Sequence, residues 1–299
     1  MKILENLLLK MSNLGEHQKK FIITLITTLT LNRGKANFRN LSRYSDISEK
    51  TYSRWSRRQF DFIKLNRLAI QEYIPNENIK LAAMDCSFIN KSGKHTYGLD
   101  NFYNGKQSKA EKGLEISTLA VVDVIYNTAY NLSTRQTPVL DNPNETRVDW
   151  YLNHFKRDCV NLPSSVEYLV TDGYYSKKKF THGIVGEGYH QIGKFRKDAN
   201  LRYLYFGQQK SGPGRKKRYD GKINLDDVSR LQEIKINDKL SIYTDVVNNV
   251  TLKCHVRIAY LVKKTGKKIA TALLFSTDIN LSALKIYEYY KSRFQIEFI

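Results

Sequence analysis

LAAMDCSFI, Leu81 to Ile89, sets a carboxylate inside an apolar run. A short continuous apolar stretch bounded by polar residues reads as a buried strand. An isolated carboxylate buried there costs several kcal/mol unless it is paired or binds a cation. Asp85 is therefore either a strand-end aspartate bonded to a nearby donor or one part of a charged site. Further along, ISTLAVVDVI (116–125) and TAYNLST (128–134) read as strands, with a hairpin at Tyr126-Asn127. A helix covers roughly 145–158. VEYLVTD (166–172) is a second buried strand, ending on Asp172. KKKF opens a helix, and YHQIGKFR (189–196) returns as a strand. Strands, crossover helix, strand, helix, strand is the grammar of an α/β fold with a mixed sheet flanked by helices.

The texture differs on either side. Residues 1–75 carry Leu and Ile at three- and four-residue spacing, broken at Asn32-Arg33-Gly34, and read as helical. Pro75-Asn76-Glu77-Asn78 marks a boundary. Residues 197–280 read as short strands and turns (LRYLYF, KINLDD, KLSIYTDV, LKCHVRIAYLVKK, KKIATALLFST), an all-β insertion with a Gly- and Lys-rich loop at 208–222. Ser282 is an N-cap, and a helix is expected from there to the end. The expected organisation is a helical domain (1–75), the first part of an α/β core (76–196), a β-rich insertion (197–280) and a core helix (281–299).

Composition bounds the function. Lysine plus arginine number 49 against 29 acidic residues, a net charge of +20. That excess is costly in self-repulsion and points to a polyanion, nucleic acid, as partner. Cys86, Cys159 and Cys254 stand far apart, without the spacing of a zinc site or a disulfide framework. The longest apolar run, Phe21 to Leu31, is about half the roughly 20 residues that span a bilayer. Glu5 and Lys10 break the apolar N-terminus, so no secretory signal is read there. A soluble, cytoplasmic protein with no membrane partner is expected.

The closing stretch YYKSRFQIEFI, Tyr289 to Ile299, supplies a third acid. At 100° per residue, Tyr290, Arg293 and Glu297 fall within about 60° of arc, apart from the apolar stripe of Leu284, Tyr287, Phe294 and Phe298. Taken singly, each acid has a plainer reading. Asp172 before Gly173 makes an Asx-turn, and Arg293 with Glu297 makes an i,i+4 pair. Together, two strand aspartates and a helix glutamate in so basic a chain suggest a carboxylate cluster for hard divalent cations. Two Mg²⁺, with Mn²⁺ able to substitute, can activate a water or a 3′-hydroxyl and stabilise the leaving oxygen in phosphodiester cleavage.

Asp85 in MDCSFI, Asp172 in LVTDGYYS and Tyr290-x2-Arg293-x3-Glu297 resemble the DDE transposases of bacterial insertion sequences, in the subgroup with a Tyr-Arg-Glu-Lys signature. KFRKDANLRYLY (194–205) and LLFSTDINLSALKIYEYYKSRFQIE (273–297) carry the likeness as well, which covers nearly the whole chain. The resemblance implies an RNase H-like catalytic core. Asp85, Asp172 and Glu297 would be its catalytic and metal-binding residues, and Tyr290 and Arg293 would contact DNA phosphates. It also implies binding of double-stranded inverted-repeat ends and target DNA, cut-and-paste transfer, a homodimer in the synaptic complex, and a nucleoid-associated place in a bacterial cytoplasm. The signature lysine would fall seven residues after Glu297, so the chain is expected to be C-terminally truncated relative to that family. The alternative is an inactive DNA-binding protein that occupies element ends as a repressor.

NFRNLSRYSDISEKTYSRWSRR, Asn37 to Arg58, reads as helix-turn-helix. A first helix runs to Tyr44, Ser45-Asp46-Ile47 is the turn, and Ser48 caps a second helix. On it Lys50, Arg54, Arg57 and Arg58 share one face, with Tyr52 and Trp55 on another. A basic helix on an apolar base suits major-groove reading with phosphate contacts. Arg196, Lys197, the Lys177-Lys178-Lys179 run and Arg215-Lys216-Lys217-Arg218 are further candidates for backbone contact.

Overall fold

The computed structural model describes residues 2–93, 95–140 and 142–299. The chain forms two compact units, 1–75 and 76–299. The first holds α1 (Lys2–Leu9), α2 (Glu16–Leu31), α3 (Phe38–Leu41), α4 (Glu49–Ser56) and α5 (Phe62–Tyr73) around Leu7, Leu8, Phe21, Ile22, Tyr52 and Leu65. Local signals set their ends. Asn37, Ser48 and Asp61 each accept a backbone N–H from the first turn of α3, α4 and α5, as short polar side chains do at an N-cap. The expected first helix to Tyr44 is only the single turn α3. Ser42 Oγ donates to Arg39 O and Ser45 Oγ to Leu41 O, so hydroxyls compete for the carbonyls that a longer helix would use. No helix of the described residues is long and apolar enough to cross a membrane.

The second unit is mixed α/β. Among the described residues its sheet has twelve strands: β1 (Lys80–Asn90), β2 (Asp100–Asn104), β3 (Lys109–Asp123), β4 (Thr128–Gln136), β5 (Tyr168–Thr171), β6 (His190–Phe195), β7 (Leu201–Leu204), β8 (Tyr219–Lys222), β9 (Gln232–Asn237), β10 (Leu240–Asn249), β11 (Cys254–Thr265) and β12 (Lys268–Ser276). The helices are α6 (Arg147–Asp158), α7 (Lys178–Gly186) and α8 (Ala283–Ser292). At its heart β1 pairs antiparallel with β3 and parallel with β5; β4 adds to β3, and β6 runs parallel to β5. Three antiparallel strands followed by two parallel ones make the mixed sheet of an α/β fold. The β3–β4 hairpin turns at Asn127, whose φ of 49° lies in the left-handed region that asparagine tolerates.

The all-β segment continues this sheet. β12 pairs with β6 from Leu273↔Phe195 to Ser276↔Ile192, and β11, β10, β7 and β8 follow outward. One expected strand is absent: KINLDD falls in turns after β8, and Gln232–Asn237 pairs with β10 instead. Strand alternation decides what each face meets. Leu81 and Ala83 of β1 join Ile286, Tyr289 and Ile296 in one core beneath α8. On the other face α6 buries Tyr151, His154 and Phe155, with His154 bonded to Ser117 of β3 and Ser133 of β4. Ser282 caps α8 by accepting the Lys285 N–H. The helix does not run on to the end, because Arg293–Phe298 is 3₁₀. Such tightening is common in a last turn, and at 120° per residue it moves Glu297 away from the arc predicted for an α-helix.

Candidate active site

Parallel pairing sets the two aspartates side by side. The register Ala82↔Leu169, Ala83↔Val170, Met84↔Thr171 ends where Asp85 and Asp172 are the next residues on neighbouring strands. This is the carboxyl end of β5, the edge where open α/β sheets collect ligands. Asp85 Oδ1 accepts the Cys86 N–H at 2.8 Å. Its Oδ2 accepts from Arg293 Nη1 at 3.0 Å. Asp172 Oδ1 accepts the Tyr174 N–H at 2.9 Å and caps a short 3₁₀ turn, so its Asx-turn is real as well.

The terminal segment brings the other candidates. Arg293 is 6% exposed and reaches Glu297 Oε1 with Nη2 at 3.8 Å. Its guanidinium also lies over the Phe294 and Tyr290 rings, 4.7 and 5.6 Å from their centroids. Its Nε–H is buried without an acceptor. Burial pushes the Asp85 carboxyl above the ordinary carboxylate value. The Arg293 charge and the Cys86 N–H pull it back, and the charges of Asp172 and Glu297 push it further up. Burial likewise raises Tyr290, with Arg293 opposing and the Asp172 and Asp85 charges adding to the rise. Asp85, Asp172, Tyr290, Arg293 and Glu297 thus share one electrostatic neighbourhood.

Carboxylate oxygens are the donors that hard divalent cations take, and a desolvated Asp85 needs positive charge beside it. By donor chemistry the set fits Mg²⁺ or Mn²⁺. By spacing it stops short: among the described residues no three His, Cys, Asp or Glu side chains lie close enough to share an ion. The Arg293 guanidinium bridges Asp85 and Glu297 and supplies the positive charge there.

A cavity of about 500 Å³ adjoins the two aspartates and reaches round to the α6 face of β1. Arg196 lines it, exposed just after β6, whereas Lys197 stands exposed in the following turn and does not line it. Sequence reasoning missed the other walls: Tyr103, Glu115, Arg147, Tyr151 and Tyr174. Only the polar Glu115 within the apolar-tending β3 could have flagged it, and alternation alone reads such a residue as surface. Cys86 Sγ meets Tyr175 Oη at 3.0 Å, and burial pushes its thiol up to about 12, so it stays protonated and unreactive. Of the lysine run, Lys177 covers the Tyr174 ring at 4.0 Å and Lys179 pairs with Asp149. In the loop at 208–222, Lys217 pairs with Asp220 at 2.7 Å.

On the helical unit, Lys50, Arg54 and Arg57 are exposed and line one surface hollow with Glu49 and Ser53. Tyr52 is buried with its hydroxyl on Thr28 Oγ1, and Trp55 stacks on Phe21 at 5.4 Å. Arg58 departs from the expected face. α4 ends at Ser56 with Arg57 as its C-cap, and the Arg58 guanidinium turns back over the Trp55 ring at 4.4 Å.

No family model matches the chain, and no curated protein matches it. Among solved structures, the NurA nuclease from Sulfolobus solfataricus is similar at a TM-score of 0.33 and 12% identity, over 79% of this chain and 80% of that one.

Proposed function

We propose that this chain is a DNA-cleaving and strand-transferring enzyme of the DDE transposase kind, acting at the ends of an insertion sequence and moving them into target DNA. The observation that carries this reading is the pair Asp85 and Asp172 at adjacent strand ends, met by a helix that brings Tyr290, Arg293 and Glu297. Asp85 and Asp172 would hold the ion, which would neutralise charge on the scissile phosphate and make a bound water more acidic. The protein's own groups do the remaining work. Arg147 and Arg196 face the same cavity and orient phosphate oxygens through their planar forks. Half-buried Tyr290 and buried Arg293 form a wall that excludes water, and Arg293 fixes the position of Asp85. Lys50, Arg54 and Arg57 offer an exposed basic helix face for duplex ends. A homodimer would bring two ends together.

A second reading has its own observation. Arg293 neutralises Asp85 and Glu297 internally, an arrangement that serves a protein that binds ends without cutting them. Incubating the chain with a duplex carrying the element's ends, in Mg²⁺ or Mn²⁺, decides between the two. Cleavage by the wild type that disappears in Asp172→Asn is the expected outcome. Salt-sensitive binding with no cleavage by either protein supports the end-binding reading instead.

A further inference from the structure

A buried polar network lies directly behind Asp172. Gln191, on β6, pairs with Leu169 of β5 and is 0% exposed. Alternation sets its side chain on the same face as Leu169 and Thr171. Its Oε1 accepts from Thr181 Oγ1 of α7 at 2.7 Å. Its Nε2 donates to Thr171 Oγ1 at 2.9 Å and to the Tyr175 carbonyl at 3.3 Å. A carbonyl can only accept, which fixes the amide nitrogen on that side. The Gln191 backbone is itself held: its N–H donates to Thr277 Oγ1 at 2.9 Å and its carbonyl accepts the Thr277 N–H at 3.0 Å.

The two amide donors end on either side of Asp172. Thr171 is the residue before it, and Tyr175 closes the 3₁₀ turn that Asp172 caps through the Tyr174 N–H. Ser176 Oγ fastens the same turn to the Lys194 carbonyl at 2.9 Å. Gly173 lies so close to β6 that an added Cβ would stand 3.2 Å from the Lys194 oxygen. With Thr171, Tyr175 and Thr181 all buried, water does not replace a bond lost here. An apolar side chain of the same size could fill this space, but it could not fix where the strand end turns, as a satisfied polar network does. We infer that Gln191 is a positioning residue for Asp172. Its amide clamps Thr171 to Tyr175 and so sets the direction in which the Asp172 carboxylate leaves the end of β5. Its place in catalysis rests on reading the chain as a metal-dependent enzyme acting on DNA. Removing a group that orients a metal-binding side chain in this way costs about ten- to a hundredfold in metal affinity or activity.

Three variants of the full chain test this. Gln191→Met and Thr171→Val keep the volume and break the clamp, whereas Thr171→Ser keeps the hydroxyl that Gln191 needs. The first measurement is amide hydrogen exchange in EDTA. The Tyr174 and Ser176 amides should exchange about tenfold faster or more in Gln191→Met and Thr171→Val, the change that one lost buried hydrogen bond makes to a local opening. They should stay at the wild-type rate in Thr171→Ser, and amides of the β10–β11 pairing should not change in any variant. The second measurement is duplex cleavage against Mn²⁺ concentration. The half-saturating Mn²⁺ should rise about tenfold or more in the first two variants and return in Thr171→Ser. A smaller folded fraction would lower the rate without moving that concentration. Unchanged exchange at Tyr174 and Ser176, or a rise spread evenly over the whole sheet, overturns the inference. So does a wild type that cleaves with a Mn²⁺ demand the variants share. Local exchange that responds as expected in a chain that cleaves nothing supports the clamp and removes the enzyme reading instead.

Discussion

Arg293 lies between two carboxylates that a metal enzyme would want for itself. Its guanidinium binds Asp85 at 3.0 Å and leans towards Glu297 at 3.8 Å, from a side chain only 7% exposed. Removing one partner of a buried ion pair leaves the other charge uncompensated, and that costs roughly 3–5 kcal/mol. Arg293→Ala should approach the lower end of that range, since Asp85 is 27% exposed. Adding Asp85→Asn should recover a large part of the loss. Urea unfolding of the two single variants and the double variant measures the coupling, and independent, additive effects would show that the pair does not bind as drawn.

At the scale of elements, α6 is tied to the sheet by a polar cluster. Arg135 of β4 holds Asp158 through two bonds, at 2.8 and 2.6 Å, and His154 Nε2 lies 3.3 Å from the same carboxylate. Burial alone would raise Asp158. The bonds from His154, Arg135 and Ser133 outweigh it and hold the acid well below the usual carboxylate range. Burial depresses His154, so the folded protein keeps it neutral. The sign follows. A histidine whose folded value is depressed contributes stability above its unfolded value of about 6.5, and that stability is lost as pH falls towards the folded value. Stability should therefore drop on acidification from about pH 7 to pH 5, and the drop should flatten in His154→Gln; denaturant midpoints across that range measure it. Arg135→Ala should cost about 3–5 kcal/mol at neutral pH by leaving Asp158 buried and unpaired. On α4, Arg54→Ala should weaken binding to cognate ends more than to random duplex. Equal losses in a gel-shift titration would make Arg54 a phosphate contact only.

For the molecule as a whole, the charge of +20 dominates. If six or more phosphates are neutralised, affinity for duplex DNA should fall by at least about a thousandfold between 50 and 200 mM salt. A flat salt titration would remove nucleic acid as the partner. The helical unit carries its own core from Leu7 to Leu65, so a fragment of residues 1–75 should melt cooperatively by circular dichroism. A non-cooperative, shallow melt would show that its core does not suffice by itself.

Much of this was legible from local pattern. The strands around Asp85 and Asp172, the caps at Ser48 and Ser282, and the hairpin at Asn127 depend on residues within a turn or two of each other. Apolar runs and capping side chains report such features directly. The continuation of the sheet from β6 into β12 was not legible, because it pairs residues some eighty positions apart. Nor was the 3₁₀ turn that carries Glu297, since an apolar and polar periodicity does not separate it from a continued α-helix. The candidate site divides in the same way. Its acids stand out by sequence because a carboxylate in an apolar strand is anomalous. The partners that give them meaning do not: Arg293 meets Asp85 across 208 positions, and Tyr103, Glu115 and Arg147 reach one cavity from β2, β3 and α6. Sequence by itself determined which segments pair with water and which with the core, through periodicity. Only tertiary structure decided which charges face one another, because that depends on strand register and helix packing, neither of which is written in any local stretch.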